Sequence, residues 1–449
     1  MCFTLHDSQV HPIVMSLFRK GGDIHRKSLG RAVLLLGLLA SAGLWTGWIP
    51  AVSEPIWSLD RSLKDRLSMI VEPPREREDL VFLGIDPECR AQEGVAPSVR
   101  QQSRALQMMR EDVDNLHLDR RIYADLINRL GDAGVGVMIF DILFVGPSGN
   151  PEADREFADA INRHREKIVL ATLLQPHSDG SYEPISSLRQ LPGVVQDEQG
   201  PHEGYVNLWP DGEDGVVRRM VYTTSPLELQ TGAHWPGDRV FESLAVATAH
   251  RLGAEVREGR SPRLRYAISA GEPATYAAAY GAHSLHGVFV PDRWKGAYQG
   301  GEFFRDKVVL ISTATREDGD YHPIPGAVIY GGQFHLQALG SMLDNQYWKP
   351  APQWLDTVAV LVMAGLAVLI GMAFRNPLTI LLSALALGGG FVMACAVFSN
   401  LTGVLFAGTS GLLGLGLVTI AAEFGQLIAR TGVTKAAEVP AATQSAAAP

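Results

Sequence analysis

The chain has 449 residues, 19% of them charged and 46% hydrophobic, with a formal net charge of −9. Soluble globular chains carry about 25% charged residues, and here the shortfall sits at the ends: residues 51–350 hold 43 acidic and 31 basic side chains, while the rest is apolar and mildly basic. That distribution excludes a single cytosolic domain, and the acidic middle speaks against nucleic-acid binding, which needs a basic patch to meet phosphates.

Residues 32–49 run without a charge, enough for a short membrane span. Arg19, Lys20, Arg26, Lys27 and Arg31 precede them, and Trp45 and Trp48 stand at the far end where an interfacial belt belongs. Ala40-Ser41-Ala42 also offers a signal-peptide cleavage site, but the apolar run continues to Ile49, which favours an uncleaved anchor over 32–50. Residues 1–31 are then cytoplasmic.

The stretch 51–350 reads as one soluble domain. Of three cysteines only Cys89 falls inside it, so it holds no internal disulfide and no zinc site of four cysteines or of two cysteines with two histidines. Residues 80–86 (LVFLGID) form a short apolar strand ending in Asp86. Across 118–134, Ile122, Tyr123, Leu126, Ile127 and Leu130 share one helical face, with Gly131 and Gly134 as stops. Residues 135–144 (VGVMIFDILF) make a second buried strand carrying Asp141. A helix over 151–164 turns Phe157, Ala160 and Ile161 inward, and 167–174 is a third strand. This order predicts an α/β domain with a mostly parallel sheet flanked by crossover helices. Further on come a PDGEDG turn, a strand VVRRMVYTT, a helix over 240–253, a strand over 307–312 and a helix over 331–343.

Three more spans follow, at 354–374, 378–398 and 401–422, joined by RNP and SN. Arg375, Arg430 and Lys435 agree with a four-span topology by the positive-inside rule, which puts 51–350 outside the cytoplasmic membrane. Glycines at 388–390 and in GTSGLLGLGL suit close helix packing, within the three spans or against another copy of the chain as a homo-oligomer. The tail 423–449 is expected to be cytoplasmic and disordered, its end being low in complexity.

The segments LVFLGID, YADLINRLGDAGVGVMIFDILF, GYVNLWPDGEDGVVRR, FRDKVVLISTAT with DGDYHPIP, and GGQFHLQALGSML together resemble a CHASE2 domain, an extracytoplasmic sensor module of bacterial membrane proteins. The layout of one anchor before the domain and three spans after it is similar as well. The chain differs from the usual pattern in the long polar stretch 88–117, in Ser312 where a glycine is usual, and in one extra residue in PDGEDGVV. The resemblance implies a bacterial inner-membrane, multi-pass protein with a sensory domain outside the cytoplasm. Family members usually continue into a cyclase or kinase, and none of the motifs of those enzymes stands in this sequence. The signal is therefore expected to pass to an unknown partner protein. An envelope scaffold that binds a partner without sensing a small ligand is the alternative.

Candidate ligand-binding residues are Asp86, Asp141, Arg218, Asp214 and His335. Asp86 and Asp141 fall at the carboxyl ends of two expected neighbouring parallel strands, the edge where open α/β sheets bind ligands; the plainer reading is that each caps a turn. Asp211, Glu213 and Asp214 have partial calcium-loop spacing, but the twelfth position is Tyr222 and the glycines explain the turn. Arg218 and Arg219 alternate on their strand, so one faces inward, where it would pair with Asp141, Asp214 or an anion. His322 and His335, with Asp318 and Asp320, would make a metal set, but no helical ligand spacing supports it, and His335 reads equally as a core histidine. His283 and His286 fall in a Gly/Ala-rich loop. No catalytic residue, metal or cofactor is expected.

Overall fold

The computed structural model describes residues 50–111, 118–197, 200–212, 214–256, 261–270, 275–315, 320–374 and 376–437. The expected anchor at 32–50 therefore lies outside the described residues save for its last residue, as do the basic N-terminus, Glu213 and Asp318. Two compact units emerge, Ser68–Lys349 and a second made of the chain before Ser68 and after Lys349.

The first unit is built on β1 (Leu80–Ile85), β2 (Val137–Phe140), β3 (Ile168–Pro176), β4 (Tyr182–Ser186), β5 (His202–Tyr205), β6 (His283–Ser284) and β7 (Val308–Thr313). Their order is β4-β3-β2-β7-β1-β6, with β5 also on β3, and every pairing is parallel except that of β4. Strand β7 pairs Leu83↔Ile311 on one side and Ile311↔Phe140 on the other. The late strand thus enters between the first two. Asp86 and Asp141 do not follow neighbouring strands, a correction that could not come from element order because β7 begins at Val308, 171 residues after β2 begins at Val137, well beyond the local crossover.

Alternation along these buried strands sends successive side chains to opposite faces. Leu83, Met138, Phe140 and Ile311 pack under α3 (Arg120–Asp132) and α4 (Pro151–Arg163), on Ile122, Leu126 and Phe157. Phe82, Ile139 and Leu310 face α5 (Leu244–Arg251) and α6 (Gly331–Leu343), on Ala245, Phe334 and Leu339. Each helix start is written locally: Asp119, Asn150 and Ser243 accept from the first-turn amides of α3, α4 and α5. Ser243 also shortens the helix expected from 240, since Phe241–Glu242 pair with Thr223–Thr224 instead. A short helix, α2 (Pro87–Ala91), follows β1 directly, capped by Asp86. These labels follow chain order, with α1 kept for Pro50–Ile70.

The expected strand VVRRMVYTT forms a ladder only at Thr223–Thr224. Upstream it is held by single bonds, Val217 N–H to the Pro323 carbonyl at 2.8 Å and Met220 N–H to the Pro262 carbonyl at 3.4 Å. Pro262 and Pro323 have no N–H to return, and pairing with the 262–264 segment goes no further than Leu264 N–H to the Arg218 carbonyl at 3.0 Å and the isolated Arg219–Arg263 bridge. A hairpin of β8 (Tyr321–Ile324) and β9 (Ala327–Tyr330) turns at Pro325-Gly326 and runs straight into α6.

In the second unit, α7 (Gln353–Ala373) and α8 (Pro377–Thr402) are both long and apolar enough to cross a membrane. The third C-terminal span departs from its expected bounds of 401–422. Helix α8 continues through Ser399 and Asn400 and ends at Gly403, whose φ of 69° accepts the left-handed cap; α9 then starts at Thr409. Its apolar part, Thr409–Phe424, is shorter than those of α7 and α8. The helix itself runs on to Ala437, so 423–437 is helical rather than disordered, and 438–449 lies outside the described residues. Ala, Leu, Gln and Arg in that stretch are strong helix formers and no proline interrupts them.

Small residues bring α7 and α9 together. A Cβ on Gly414 would stand 3.1 Å from the Val360 carbonyl, and one on Gly411 3.1 Å from the Ala359 Cβ. Gly389 and Gly390 face open space. Two carboxylates meet the start of α9: Thr409 donates to Asp60 of α1 at 2.8 Å and Ser410 to Asp356 of α7 at 2.7 Å. A carboxylate is favourable at a helix N-terminus, so Asp356 is hydrogen-bonded within the unit.

Candidate functional site

The carboxyl ends of β1, β2, β6 and β7 form one edge of the first unit. Asp141 follows β2, with its amide still bonded to the Ile311 carbonyl at 2.9 Å. The alternation that sends Ile139 toward α6 sends Asp141 there too, beside Ser312 of β7. Ser312 Oγ donates to Asp141 Oδ2 at 2.8 Å, and His335 Nε2 lies 3.8 Å from Asp141 Oδ1. The side chains of His335 and Asp141 are only 3% and 9% exposed, and His335 Nδ1 is buried with no hydrogen-bond partner among the described residues.

The hairpin before α6 adds a second pair. Asp320 Oδ1 lies 2.9 Å from His322 Nε2. Gly331 is required where it stands, because a Cβ there would collide with the Asp320 carboxylate, and Gly332 because a Cβ would fall 2.9 Å from Phe82 and Leu310. The double glycine lets α6 begin close against both the hairpin and the sheet. Burial pushes the Asp141 carboxyl up, and the Asp320 charge adds to this against the pull of His335, Ser312 and His322. Burial also acts to raise Asp320, but the hydrogen bond and charge of His322, with His335 and the Gly331 amide, outweigh it and leave that carboxyl below its usual range. One carboxyl that favours its proton and one that favours its charge thus face the same histidine.

Asp86 belongs to a different group. It caps α2 through the Cys89 amide at 3.1 Å and accepts from Ser284 Oγ at 2.6 Å. Cys89 and His286 are buried beside it. Burial and the Asp86 charge push the Cys89 thiol up to about 11, and burial together with Arg293 lowers His286. Sequence reading set His286 aside with its loop, and no local spacing marks it; it comes to Asp86 only through the β1–β6 register Gly84↔Ser284.

Arg218 and Asp214 form a third, separate group. Arg218 is 1% exposed; it donates to Asp214 at 3.0 and 2.5 Å and to the Asp211 carbonyl at 3.1 Å. Arg219 faces outward, 3.4 Å from the Asp211 carboxylate. These arginines hold the PDGEDG turn and engage Asp211 and Asp214, two of the three carboxylates with calcium-loop spacing.

A cavity of about 730 Å³ opens at the same edge on the α3 side, lined by Arg120, Arg121, Tyr123, Ile142, Phe144 and Ser148 among others. Neither Asp141 nor His335 lines it, though the loop that rims it starts directly after Asp141. Its arginines are engaged: Arg120 with Asp154 and Arg121 with Asp119, each at 2.7 Å.

The chain thus combines a mostly parallel α/β unit, with polar groups gathered at its carboxyl edge, and two helices long and apolar enough to cross a membrane. The chain belongs to the CHASE2 domain family, whose model matches residues 36–372. CHASE2 is an extracytoplasmic sensor module family. No curated protein matches the chain, and no solved structure does.

Proposed function

We propose that this protein is a multi-pass inner-membrane sensor whose domain, outside the cytoplasm, recognises a small ligand at the carboxyl edge of its parallel sheet, read by Asp141 and His335. The observation that carries the proposal is the buried Asp141–His335 contact, 3.8 Å long, with His335 Nδ1 unmatched beside it. Buried polar groups are normally satisfied, and an unmatched ring nitrogen next to a carboxyl that favours its proton offers a donor and acceptor set to a polar guest. Four spans, one of them at 32–50, complete the topology in this reading. The recognition is non-catalytic: no nucleophile elbow or phosphate-binding loop stands in the sequence, and a thiol pushed up to about 11 is a poor nucleophile. Its consequence is passed to a partner protein, in the bilayer or outside it.

The test is a thermal-shift screen of the full-length chain in detergent against a panel of amines, carboxylic acids and sugars. A compound that raises the midpoint of the wild type but not of Asp141→Asn or His335→Gln is the expected outcome. Turnover of such a compound, abolished by Asp141→Asn in a folded variant, would overturn the non-catalytic reading.

A further inference from the structure

The pairing of β1 with β6 brings together two short segments almost 200 residues apart in the chain. A carboxylate oxygen of Asp86, Cys89 Sγ and a ring nitrogen of His286 lie within 4.8 Å of one another. Ser284 Oγ sits among them, 2.6 Å from Asp86 Oδ1, 2.6 Å from His286 Nδ1 and 3.7 Å from Cys89 Sγ. A serine hydroxyl has one proton, and the Asp86 carboxylate takes it. His286 Nδ1 must then be the donor to Ser284, which assigns the lone pair to Nε2. That nitrogen is buried, on a side chain with 0% exposure, and has no hydrogen-bond partner among the described residues.

We infer that Asp86, Cys89 and His286 form a binding site for a zinc-class divalent cation. A thiol, an imidazole and a carboxylate together are the donor set of zinc and its neighbours; magnesium and calcium take oxygen ligands alone. Around a tetrahedral zinc the ligand atoms stand about 3.4 Å apart, so separations of up to 4.8 Å close by at most about 1.4 Å on binding. The Nδ1–H to Ser284 to Asp86 chain is the kind of outer hydrogen bonding that fixes a ligating histidine's tautomer and ring angle. The thiol proton leaves to solvent as the thiolate takes the metal, and a water fills the fourth position. The bound cation would join the end of β1 to the turn after β6, closing a very long loop. This site is separate from the Asp141–His335 group, so either reading can fail without the other.

The test uses the full-length chain in detergent carrying Cys2→Ser and Cys395→Ser, so that Cys89 is the one thiol left. After chelator treatment it is titrated with cobalt chloride, then with zinc chloride. The expected result is one cobalt per chain with a thiolate-to-cobalt charge-transfer band, displaced by stoichiometric zinc, and a zinc-dependent rise in the unfolding midpoint. Cys89→Ser removes the band, and His286→Gln and Asp86→Asn each weaken zinc binding at least tenfold, whereas His177→Gln on the surface leaves it unchanged. No stoichiometric cobalt, cobalt bound without the thiolate band, or the same band in Cys89→Ser would overturn the site. If the buried variants fail to fold, the stoichiometry and spectrum of the Cys89-only chain decide alone.

Discussion

The loop that leaves Asp141 and rims the large cavity is held by one buried ion pair, and breaking it from one side should be costly. Arg120 and Asp154 are each 7% exposed and meet at 2.7 Å. Arg120 also donates to the Gly146 carbonyl at 2.5 Å, and Asp154 accepts from the Ser148 amide at 3.2 Å. Arg120→Met keeps most of the side-chain volume but leaves a buried carboxylate with one amide donor. Removing one partner of a buried pair costs about 3–5 kcal/mol, whereas replacing both with apolar residues is close to neutral. A domain is typically stable by about 5–15 kcal/mol, so Arg120→Met should move the denaturant midpoint far down, and Arg120→Met with Asp154→Leu should recover most of the loss. Burial acts to raise the Asp154 carboxyl, but Ser148 and Arg120 outweigh it and hold it below its usual range. Its contribution is therefore present above the ordinary carboxylate range and lost as pH falls through the lowered value. The assay is urea unfolding of the full-length chain in detergent, followed by tryptophan fluorescence. A single variant within about 1 kcal/mol of wild type, below the cost expected for a broken buried pair, would refute the claim that this pair anchors the loop.

Asp141 should show the opposite pH sign: its raised carboxyl favours the folded state at low pH and loses that advantage as pH climbs from the ordinary value to the raised one. Asp141→Asn should flatten this part of the midpoint-against-pH curve, and an unchanged slope would contradict it. Gly332→Ala puts a Cβ 2.9 Å from Phe82 and Leu310 and should cost about 1–3 kcal/mol in urea unfolding. Gly414→Leu should disrupt α7 against α9, while Gly389→Leu, which meets open space, should leave the detergent-solubilised fold intact; equal damage from both would contradict the helix pairing. Single cysteines introduced at Gly200 and Asn376 should differ in intact cells, with an impermeant thiol reagent labelling residue 200 alone; labelling of 376 instead would invert the topology.

Much of the fold was legible because its signals are local. The helix over 331–343 is found at those bounds, and the inward residues of α3 and α4 follow from helical spacing. What was not legible is whatever depends on strand order. Inserting β7 between β1 and β2 parts Asp86 from Asp141, joins Asp141 to Ser312 and His335, and leaves Asp86 to Ser284 and His286 on the other side. Periodicity carries no information about which of several parallel strands is central. The last turn was placed a few residues early for a related reason: composition points to the polar pair Ser399-Asn400, while the reversal is made by backbone at Gly403 and Gly408.

The central claim, that the Asp141–His335 edge holds a ligand, is tested most directly by native mass spectrometry of the full-length protein purified from its own membranes. A small-molecule adduct is predicted on the wild type and its loss on both Asp141→Asn and His335→Gln, with Arg219→Gln unaffected. A wild type that carries no adduct, or one that both variants carry equally, would contradict the account.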